Sequence, residues 1–419
     1  MEIKFEKICV IGLGYIGLPT AAMFAARKIR VVGVDVNPDT VDIINKGEIH
    51  IVEPDLDMVV KAAVSGGYLK ATTVPQPAQA FLIAVPTPFT GDNHQPDLRY
   101  IEAAANAIAP VLEVGNIVIL ESTSPVGATE KLATWLAKAR KDLSFPQSHG
   151  EASDIRIAHC PERVLPGRIM RELVSNDRVI GGMTSVCSDM AIELYKTFVF
   201  GNCIATNART AEMAKLTENS FRDVNIAFAN ELSIICDRLE IDVWELIALS
   251  NLHPRVNILQ PGPGVGGHCI AVDPWFIVSS TPELARLIRT AREVNDEKPN
   301  WVIKKVQAAI GEFLMANPNK NAKDVTLACY GLTFKPNIDD LRESPALEIV
   351  RTLAEKHFGA ILAVEPNIKT LPELGGSTQL VTTQFALENA DIHLLLVDHE
   401  EFKNVRPIDK PIIDTKGIW

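Results

Sequence analysis

The sequence is poor in positive charge. It contains 41 lysine and arginine residues against 52 aspartate and glutamate residues, which gives a formal net charge of -11. General binding to nucleic acid requires a basic surface that neutralises phosphates. The shortage of basic residues therefore argues against a nucleic-acid partner. It leaves open a small anionic ligand, because a few local lysines and arginines suffice to hold one.

Paired cysteines are also missing. The seven cysteines are an odd number, and no two of them form a C-x-x-C pair. This usage argues against a disulfide framework and against a clustered zinc site, so we expect no metal. It fits a reducing compartment, and we predict a cytoplasmic protein.

Long uncharged apolar runs are absent except at residues 8–26. A run of this length is found in signal peptides and in membrane helices. Here it contains Gly12, Gly14, Gly17 and Pro19, which disfavour a long helix. We therefore expect no membrane partner and interpret this run as part of a nucleotide site.

The order of apolar segments predicts the fold. With 419 residues, the chain is too long for one ordinary core. Apolar strands alternate with helical segments before residue 208 and again after residue 320, and such alternation indicates parallel sheets. Residues 208–250 instead repeat their apolar positions at helical spacing. We predict an α/β fold in which two Rossmann-like domains are joined by a central helical region with a long helix, with the bounds 1–207, 208–314 and 315–419.

A glycine motif follows the first predicted strand. Gly12, Gly14 and Gly17 form G-x-G-x-x-G around Tyr15 and Ile16, and a helix is predicted to begin there. In this context glycines permit a tight turn and close approach of a pyrophosphate to the helix N-terminus. Asp35 ends the second strand, where a carboxylate accepts hydrogen bonds from ribose and repels a 2′-phosphate. The motif predicts NAD as the cofactor rather than NADP.

Two later strands end in hydroxyl residues. Thr87 and Thr123 follow these strands, at the sheet edge where ligands of such folds bind. They are candidate secondary contacts to the cofactor. The alternative is that these loop residues bond their own backbone.

The loop "PGPGVGGHCIAVDP", residues 261–274, places Cys269 after a cluster of glycines. Glycines allow close approach of backbone to a ligand. A cysteine thiolate is a strong nucleophile. In a dehydrogenase it can trap an aldehyde as a thiohemiacetal, which a second hydride transfer converts to a thioester. The alternative, a small buried apolar cysteine, suits the other six cysteines better.

Five motifs occur in order over almost the whole chain: "GLGYIGLP", "ESTSPVG", "AEMAKLTENSFR", "GPGVGGHCIAVDP" and "GLTFKPNIDDLRESP". Together they resemble the UDP-glucose/GDP-mannose dehydrogenase family. That resemblance implies a homodimeric enzyme that oxidises a nucleotide-sugar alcohol to the acid with two NAD.

The resemblance also implies catalytic roles. Cys269 would be the nucleophile, and Lys215 would stabilise the developing oxyanion or shuttle its proton. Asn219, four residues later on the same helix face, and Asp273 would complete the network. Glu162 matches a family glutamate proposed for thioester hydrolysis. Many relatives have a second glutamate where this sequence has Pro166, so the base in hydrolysis stays open.

Further residues match ligand contacts of the family. Those for the nucleotide sugar are Arg163, Val164, Lys215, Asn219, Arg222, His253, Arg255, Gly266, Phe334, Lys335 and Lys416. Arg342 and Thr129 match cofactor contacts. An arginine at the position of Arg255 comes from the neighbouring subunit in the family, and we predict a dimer built on residues 208–250.

Three other interpretations account for part of these features. A hydroxyacid dehydrogenase also pairs a nucleotide domain with long helices, but it would not need Cys269 or a second α/β domain. An NAD-binding redox sensor would bind cofactor without turnover, which the lysine, asparagine and cysteine together disfavour. The closest alternative concerns which UDP-sugar is the substrate. UDP-glucose is one candidate, because the sequence fixes neither the epimer at C2 of the sugar nor the presence of an N-acetyl group.

Overall fold

The computed structural model describes residues 5–91, 93–165, 167–267 and 269–419. They fall into two compact units, the first ending at Glu218 and the second beginning at Asn219. The two units divide the chain at a different place from the three predicted domains, whose bounds stay a prediction.

The first unit is built on an eight-stranded sheet. Its elements are β1 (Lys7–Ile11), α1 (Gly17–Ala26), β2 (Arg30–Val34), α2 (Pro38–Asn45), α3 (Leu56–Ser65), β3 (Leu69–Thr72), β4 (Ala80–Ile83), the hairpin β5 (Phe89–Thr90) and β6 (Gln95–Pro96), α4 (Arg99–Ile108), β7 (Ile117–Leu120), α5 (Ala128–Ala139), α6 (Pro146–His149), β8 (Arg156–His159), α7 (Ile169–Ser175), β9 (Arg178–Gly182), α8 (Ser185–Tyr195) and β10 (Cys203–Asn207).

The strand order of this sheet is β10-β9-β8-β7-β4-β1-β2-β3. Successive residues of β1 enter different cores, because side chains alternate across a strand. Ile8 and Val10 pack in one apolar cluster, whereas Cys9 and Ile11 pack in the other. The sheet is therefore covered on both faces, as expected of a parallel α/β sheet.

One pair of strands departs from the predicted parallel arrangement. β8 and β9 are antiparallel, with Ala158 opposite Gly182 and His159 opposite Gly181. A parallel neighbour needs a crossover that returns the chain to the starting edge of the sheet. The chain instead re-enters the sheet from the edge where β8 ends. The start of β9 and the end of β8 consequently share the edge at which ligands of such folds bind.

Two long helices lie in the middle of the chain. α9 (Ala208–Leu239) has 32 residues, which confirms the predicted long helix, and α10 (Val243–Ser250) follows it. After α11 (Asp273–Ser280) comes a second long helix, α12 (Arg286–Ala316), which the sequence analysis did not predict. α12 contains Pro299 in its interior, a residue that normally ends a helix.

The second unit contains a five-stranded parallel sheet in the order β13-β12-β11-β14-β15. Its elements are β11 (Leu327–Tyr330), α13 (Pro345–Lys356), β12 (Ala360–Val364), β13 (Ser377–Leu380), α14 (Thr383–Asn389), β14 (Ile392–Leu395) and β15 (Ile412–Asp414). Four of these strands, β11, β12, β14 and β15, confirm the apolar strands predicted at residues 324–334, 360–366, 390–398 and 411–415. The edge strand β13 was missed because its sequence, STQL, is largely polar.

Among the described residues, no helix combines the length and the apolar character needed to cross a bilayer. The apolar run at residues 8–26 is divided between β1 and α1, as the glycine motif predicts.

Candidate active site

The cofactor turn (residues 12–17) joins β1 to α1. Gly12 has φ +89°, and a Cβ on it would lie 2.4 Å from the Ala84 carbonyl oxygen. A Cβ on Gly17 would lie 1.8 Å from the Gly12 carbonyl oxygen, whereas a Cβ on Gly14 would have no protein atom within 4 Å. Gly12 and Gly17 are thus required by the fold. Gly14 has open space beside it, which suits the approach of a pyrophosphate.

Asp35 supports this turn and remains half-buried. Its carboxylate accepts hydrogen bonds from the backbone N–H groups of Leu13, at 3.0 Å, and Asn37, at 2.9 Å. A carboxylate has about four acceptor positions, so Asp35 keeps capacity for ribose hydroxyls. The residues present therefore fit NAD.

The three threonines predicted as cofactor contacts are engaged within the first unit. The Thr87 hydroxyl donates to the Thr123 carbonyl oxygen at 2.5 Å. Thr129 is fully buried, and its hydroxyl donates to Glu212 at 2.6 Å. Glu212 also accepts from the backbone N–H groups of Gly127 and Thr129, so it fixes the start of α5. The Thr87 bond matches the alternative in which loop residues bond nearby backbone groups, whereas the Thr129 hydroxyl bonds the Glu212 side chain.

Glu162 is buried beside a cation. Arg178, the first residue of β9, donates to the Glu162 carboxylate at 2.8 Å, and both side chains are almost fully buried. The antiparallel course of β9 brings Arg178 to the end of β8, from which Glu162 follows. The Arg178 guanidinium also lies over the Tyr195 ring, 4.6 Å from its centroid. Pro166 lies outside the described residues.

A second buried carboxyl group belongs to the same cluster. Glu121 directly follows β7, and the Tyr195 hydroxyl donates to its Oε1 at 2.6 Å. Burial raises the pKa of Glu121 to about 7; the Arg178 charge opposes this rise and the Glu162 charge adds to it. Glu121 is therefore partly protonated near neutral pH, and the cluster holds less negative charge than two carboxylates would carry.

Three predicted substrate contacts belong to the first unit. Arg163 forms an ion pair with Glu218, at 2.7 Å. Val164 is half-buried against the core of the first unit. Lys215 lies on α9 and is half-buried, one helical turn before Asn219.

Cys269 differs from the other cysteines in its exposure. It is exposed, Cys203 is half-buried, and Cys9, Cys160, Cys187, Cys236 and Cys329 are buried. Burial raises the pKa of Cys9 to about 11 and that of Cys160 and Cys329 to about 12. Those thiols are protonated at neutral pH and unsuited to nucleophilic attack.

A short network holds the segment that follows Cys269. The Cys269 carbonyl oxygen accepts from the backbone N–H groups of Val272, at 3.1 Å, and Asp273, at 2.9 Å. Asp273 begins α11 and is buried, and the Asn219 side-chain amide donates to its carboxylate. The predicted catalytic residues Asn219 and Asp273 are thus bonded to each other, and this pair fixes the backbone turn that follows Cys269.

The glycine loop packs against Phe334. A Cβ on Gly267 would lie 3.0 Å from the Phe334 ring, and a Cβ on Gly266 would lie 2.3 Å from the Glu343 carbonyl oxygen. A Cβ on Gly262 would lie 3.7 Å from Lys416 Nζ. The loop therefore runs between Phe334 and Lys416, and larger residues at 266 and 267 would displace it.

The remaining predicted contacts are basic residues of the second unit. Arg222, His253 and Arg255 are exposed. Arg342 is also exposed and forms an ion pair with Asp340, at 2.6 Å. Lys335 is half-buried, in the segment after β11.

Several residues that hold the site were not predicted from the sequence. Glu121 and Arg178 have a common signal, a charged residue at the boundary of a strongly apolar strand. Asn230, in α9, accepts from the Gly262 backbone N–H at 2.9 Å and donates to Asn295 in α12 at 2.9 Å. A polar residue within an amphipathic helix gives no such signal, because its partner lies far away in sequence.

Comparisons with known proteins agree with this geometry. Three sequence models of the UDP-glucose/GDP-mannose dehydrogenase family match the chain: the NAD binding domain at residues 6–199, the central domain at 209–297 and the UDP binding domain at 328–419. The UDP-N-acetyl-D-mannosamine dehydrogenase of Yersinia pestis is 66% identical over 420 residues, covering 99% of this chain and 100% of the relative.

Two further proteins are similar. The NDP-N-acetyl-D-galactosaminuronic acid dehydrogenase of Ralstonia nicotianae is 63% identical, covering 100% of this chain and 97% of the relative. The solved structure of the UDP-D-ManNAc dehydrogenase from Pyrococcus horikoshii has a TM-score of 0.86 at 39% identity, covering 99% of this chain and 96% of that one. This chain therefore belongs to the UDP-glucose/GDP-mannose dehydrogenase family and is an NAD-dependent UDP-sugar dehydrogenase.

Proposed function

We propose that this enzyme oxidises C6 of UDP-N-acetyl-D-mannosamine to give UDP-N-acetyl-D-mannosaminuronate. The reaction takes place in the cytoplasm and consumes two NAD. Its product is a precursor for surface polysaccharide. The observation that carries the mechanism is the position of Cys269, an exposed cysteine at the end of a glycine loop next to the Asn219–Asp273 pair.

The chemistry balances with a cysteine nucleophile. NAD, when bound, accepts a hydride in each of the two oxidations. After the first, the Cys269 thiol adds to the C6 aldehyde and forms a thiohemiacetal. Loss of a second hydride and a proton gives a thioester, and water releases the acid and regenerates the thiol. Lys215 stabilises the oxyanion at C6, and Asn219 and Asp273 orient the loop.

Glu162 is the proposed base for thioester hydrolysis. Its ion pair with Arg178 holds the carboxylate in place. The partly protonated Glu121 limits the negative charge around it. These contacts support a role for Glu162 as an oriented acceptor of a proton from water.

Cys269→Ser tests the mechanism. The change is small and local, so the variant should fold and bind NAD almost normally. It should lose at least ~10³-fold in net acid formation, as expected when a covalent nucleophile is removed. NADH measured by absorbance and acid measured by chromatography should show two NADH per acid in the wild type. One NADH per acid, or near-normal turnover of the serine variant, would contradict the mechanism.

A second candidate substrate is UDP-N-acetyl-D-galactosamine. It is favoured by the Ralstonia relative, which is nearly as similar as the Yersinia relative. Steady-state assays with UDP-linked N-acetylmannosamine, N-acetylgalactosamine, N-acetylglucosamine and glucose decide between them. We expect the highest kcat/KM with the first, and a higher value with any other sugar would replace our assignment.

We also propose a homodimer through α9. Phe221, Phe228 and Ile235 repeat every seven residues on this helix and remain exposed. An exposed apolar stripe of this kind is typical of a protein interface. Arg255 then reaches the nucleotide sugar of the partner subunit.

Light scattering tests this assembly. The wild type should have the mass of a dimer, and Phe228→Glu should shift it toward a monomer with low activity. Phe358→Glu changes another exposed phenylalanine, in the C-terminal part of the chain, and should leave the mass unchanged. An active wild-type monomer at assay concentration would contradict the proposal.

A further inference from the structure

The segment after β11, residues 331–337, repeats the hydrogen bonds of the cofactor turn; we call it the second turn. Gly331 has φ +87°, and its N–H donates to the carbonyl oxygen at the end of β12, at 2.8 Å. The next N–H, of Leu332, donates to Glu365 at 2.8 Å. Gly12 and Asp35 stand at the same places in the first unit. The second turn is therefore a second copy of a nucleotide-binding turn.

Glu365 differs from Asp35 in what surrounds it. It is 4% exposed, and its Oε2 accepts from His399 Nε2 at 3.0 Å as well as from Leu332. Its Oε1 accepts from the Asn367 backbone at 3.0 Å and side chain at 3.1 Å. Burial alone would raise the pKa of Glu365, but these hydrogen bonds together lower it. The carboxylate is satisfied inside the protein and is closed to a ribose.

His399 connects this carboxylate to the far end of the second turn. Its Nδ1 lies 2.9 Å from the Asn337 backbone N–H and 3.0 Å from the Asn367 side-chain amide. A backbone N–H can only donate, so Nδ1 accepts and Nε2 carries the proton that bonds Glu365. The neutral ring thus bridges Glu365 and Asn337.

The second turn carries two predicted substrate contacts between its fixed ends. The Thr333 hydroxyl donates to the Lys335 carbonyl oxygen at 2.9 Å, and Asn337 has φ +62°, which is unusual outside glycine. Between them Phe334 packs against the glycine loop at Gly267. The position of the Phe334 ring and the Lys335 backbone therefore depends on the bonds at both ends.

We propose that His399 is a positioning residue for the UDP portion of the substrate. It fills the place of a ribose at Glu365 and, through Asn337, holds the second turn in the shape that presents Phe334 and Lys335. The proposal rests on the proposed function, which assigns those two residues to the nucleotide sugar. It implies that the acceptor at Nδ1 matters most for ligand binding.

Two substitutions of His399 by amide side chains separate the contributions of its two ring nitrogens. His399→Asn keeps an acceptor near the position of Nδ1, whereas His399→Gln keeps a donor near that of Nε2. Calorimetry with UDP as the probe avoids dependence on the sugar. We expect the Kd for UDP to rise about tenfold in the glutamine variant, on the scale of one lost hydrogen bond. The asparagine variant should stay within about threefold of wild type, with kcat and the KM for NAD nearly unchanged in both.

His393→Asn is the matched control. His393 is equally buried, in β14, but its Nδ1 contacts the Tyr330 hydroxyl at 2.9 Å rather than the second turn. It should leave the Kd for UDP unchanged. Thr333→Val provides a second test if the His399 variants do not fold, because the Thr333 hydroxyl lies 3.4 Å from His399 Nε2 and bonds the Lys335 carbonyl oxygen, so it links His399 to the turn. The Kd for UDP should rise several-fold in this variant.

The outcomes are distinct. An unchanged Kd for UDP in His399→Gln overturns the role of His399. Equal losses of UDP affinity in His399→Gln, His399→Asn and His393→Asn overturn it too. If the His399 variants do not fold, an unchanged Kd for UDP in Thr333→Val overturns the role of His399. Phe334→Ala and Lys335→Ala are measured alongside. If both leave UDP binding intact, the assignment of these residues falls and the inference falls with it; if they weaken it while His399→Gln does not, only the inference fails.

Discussion

The two nucleotide turns share a backbone and differ at one carboxylate. In the first, Asp35 bonds two backbone N–H groups and stays half-buried. In the second, Glu365 is buried and also bonds His399. The glycine at the start of each turn has nearly the same positive φ, +89° for Gly12 and +87° for Gly331.

This comparison shows that a Rossmann-like turn does not by itself select a ligand. The backbone fixes where the acidic residue stands, but its neighbours decide whether it faces a ligand or the interior. In our proposal, the first copy presents its carboxylate to NAD, and the second uses its carboxylate to hold residues assigned to the nucleotide sugar. Function therefore follows the site rather than the fold.

The most damaging change to the first turn is Gly17→Ala. Its Cβ would overlap the Gly12 carbonyl oxygen, so α1 must move. We expect a loss of about 10³-fold in kcat/KM for NAD, together with lower stability. Gly14→Ala is the control, since its Cβ meets no protein atom. It should unfold at the wild-type temperature yet bind NAD weakly, because the methyl group occupies pyrophosphate space. A stable Gly17→Ala enzyme with normal NAD kinetics would contradict the close packing.

Buried carboxyl groups of the two units should respond to pH in opposite directions. The pKa of Glu121 is raised from 4.5 to about 7, so the folded state binds the extra proton between these values. Stability should fall as pH rises from 4.5 to 7, by about 3 kcal/mol. The pKa of Glu365 is lowered, so its contribution is present above its ordinary value and is lost on acidification.

Urea midpoints between pH 4 and pH 8 check this prediction. Glu121→Gln should flatten the decline with rising pH, and Glu365→Gln should remove stability mainly at the higher pH values. Parallel curves for wild type and Glu121→Gln would exclude the raised pKa.

Asp35→Asn should relax cofactor choice. Loss of the negative charge removes repulsion of the 2′-phosphate, so the preference for NAD over NADP in kcat/KM should fall by about 10–100-fold. The matched change Glu365→Gln should leave this ratio unchanged. Equal use of both cofactors by the wild type would refute the role of Asp35.

The smallest expected effect is on stoichiometry. Calorimetric titration should give one NAD per chain, because Glu365 is closed to ribose, and the same value in Glu365→Gln. A second NAD site of comparable affinity would show that the second turn remains open.

The main elements of the fold follow from local patterns. Alternating apolar strands and helices predicted both sheets, and the helical spacing after residue 208 predicted α9. β13 was missed because an edge strand needs little apolar surface. α12 was missed, and its Pro299 is a residue that normally marks a helix end. The antiparallel β9 follows from a connection whose path the local sequence does not encode.

The site was predictable where chemistry is concentrated in a motif. The structure brings Cys269, Asp273 and Asn219 together as a network, although the first two are separated from Asn219 by about 50 residues. Arg342, which was predicted as a cofactor contact, forms an ion pair with Asp340, two residues away. Arg178 and His399 were missed because their roles come from tertiary contacts.

The positions of the two turns along the chain set the order in which they are completed during synthesis. The bond from Leu13 to Asp35 spans 22 residues, so the cofactor turn has all its partners once the first few strands have left the ribosome. The bond from Asn337 to His399 spans 62 residues and needs a residue that is made 364 residues after Asp35. Since domains generally fold from the N-terminus during synthesis, a nascent chain completes its cofactor turn long before the turn that presents Phe334 and Lys335.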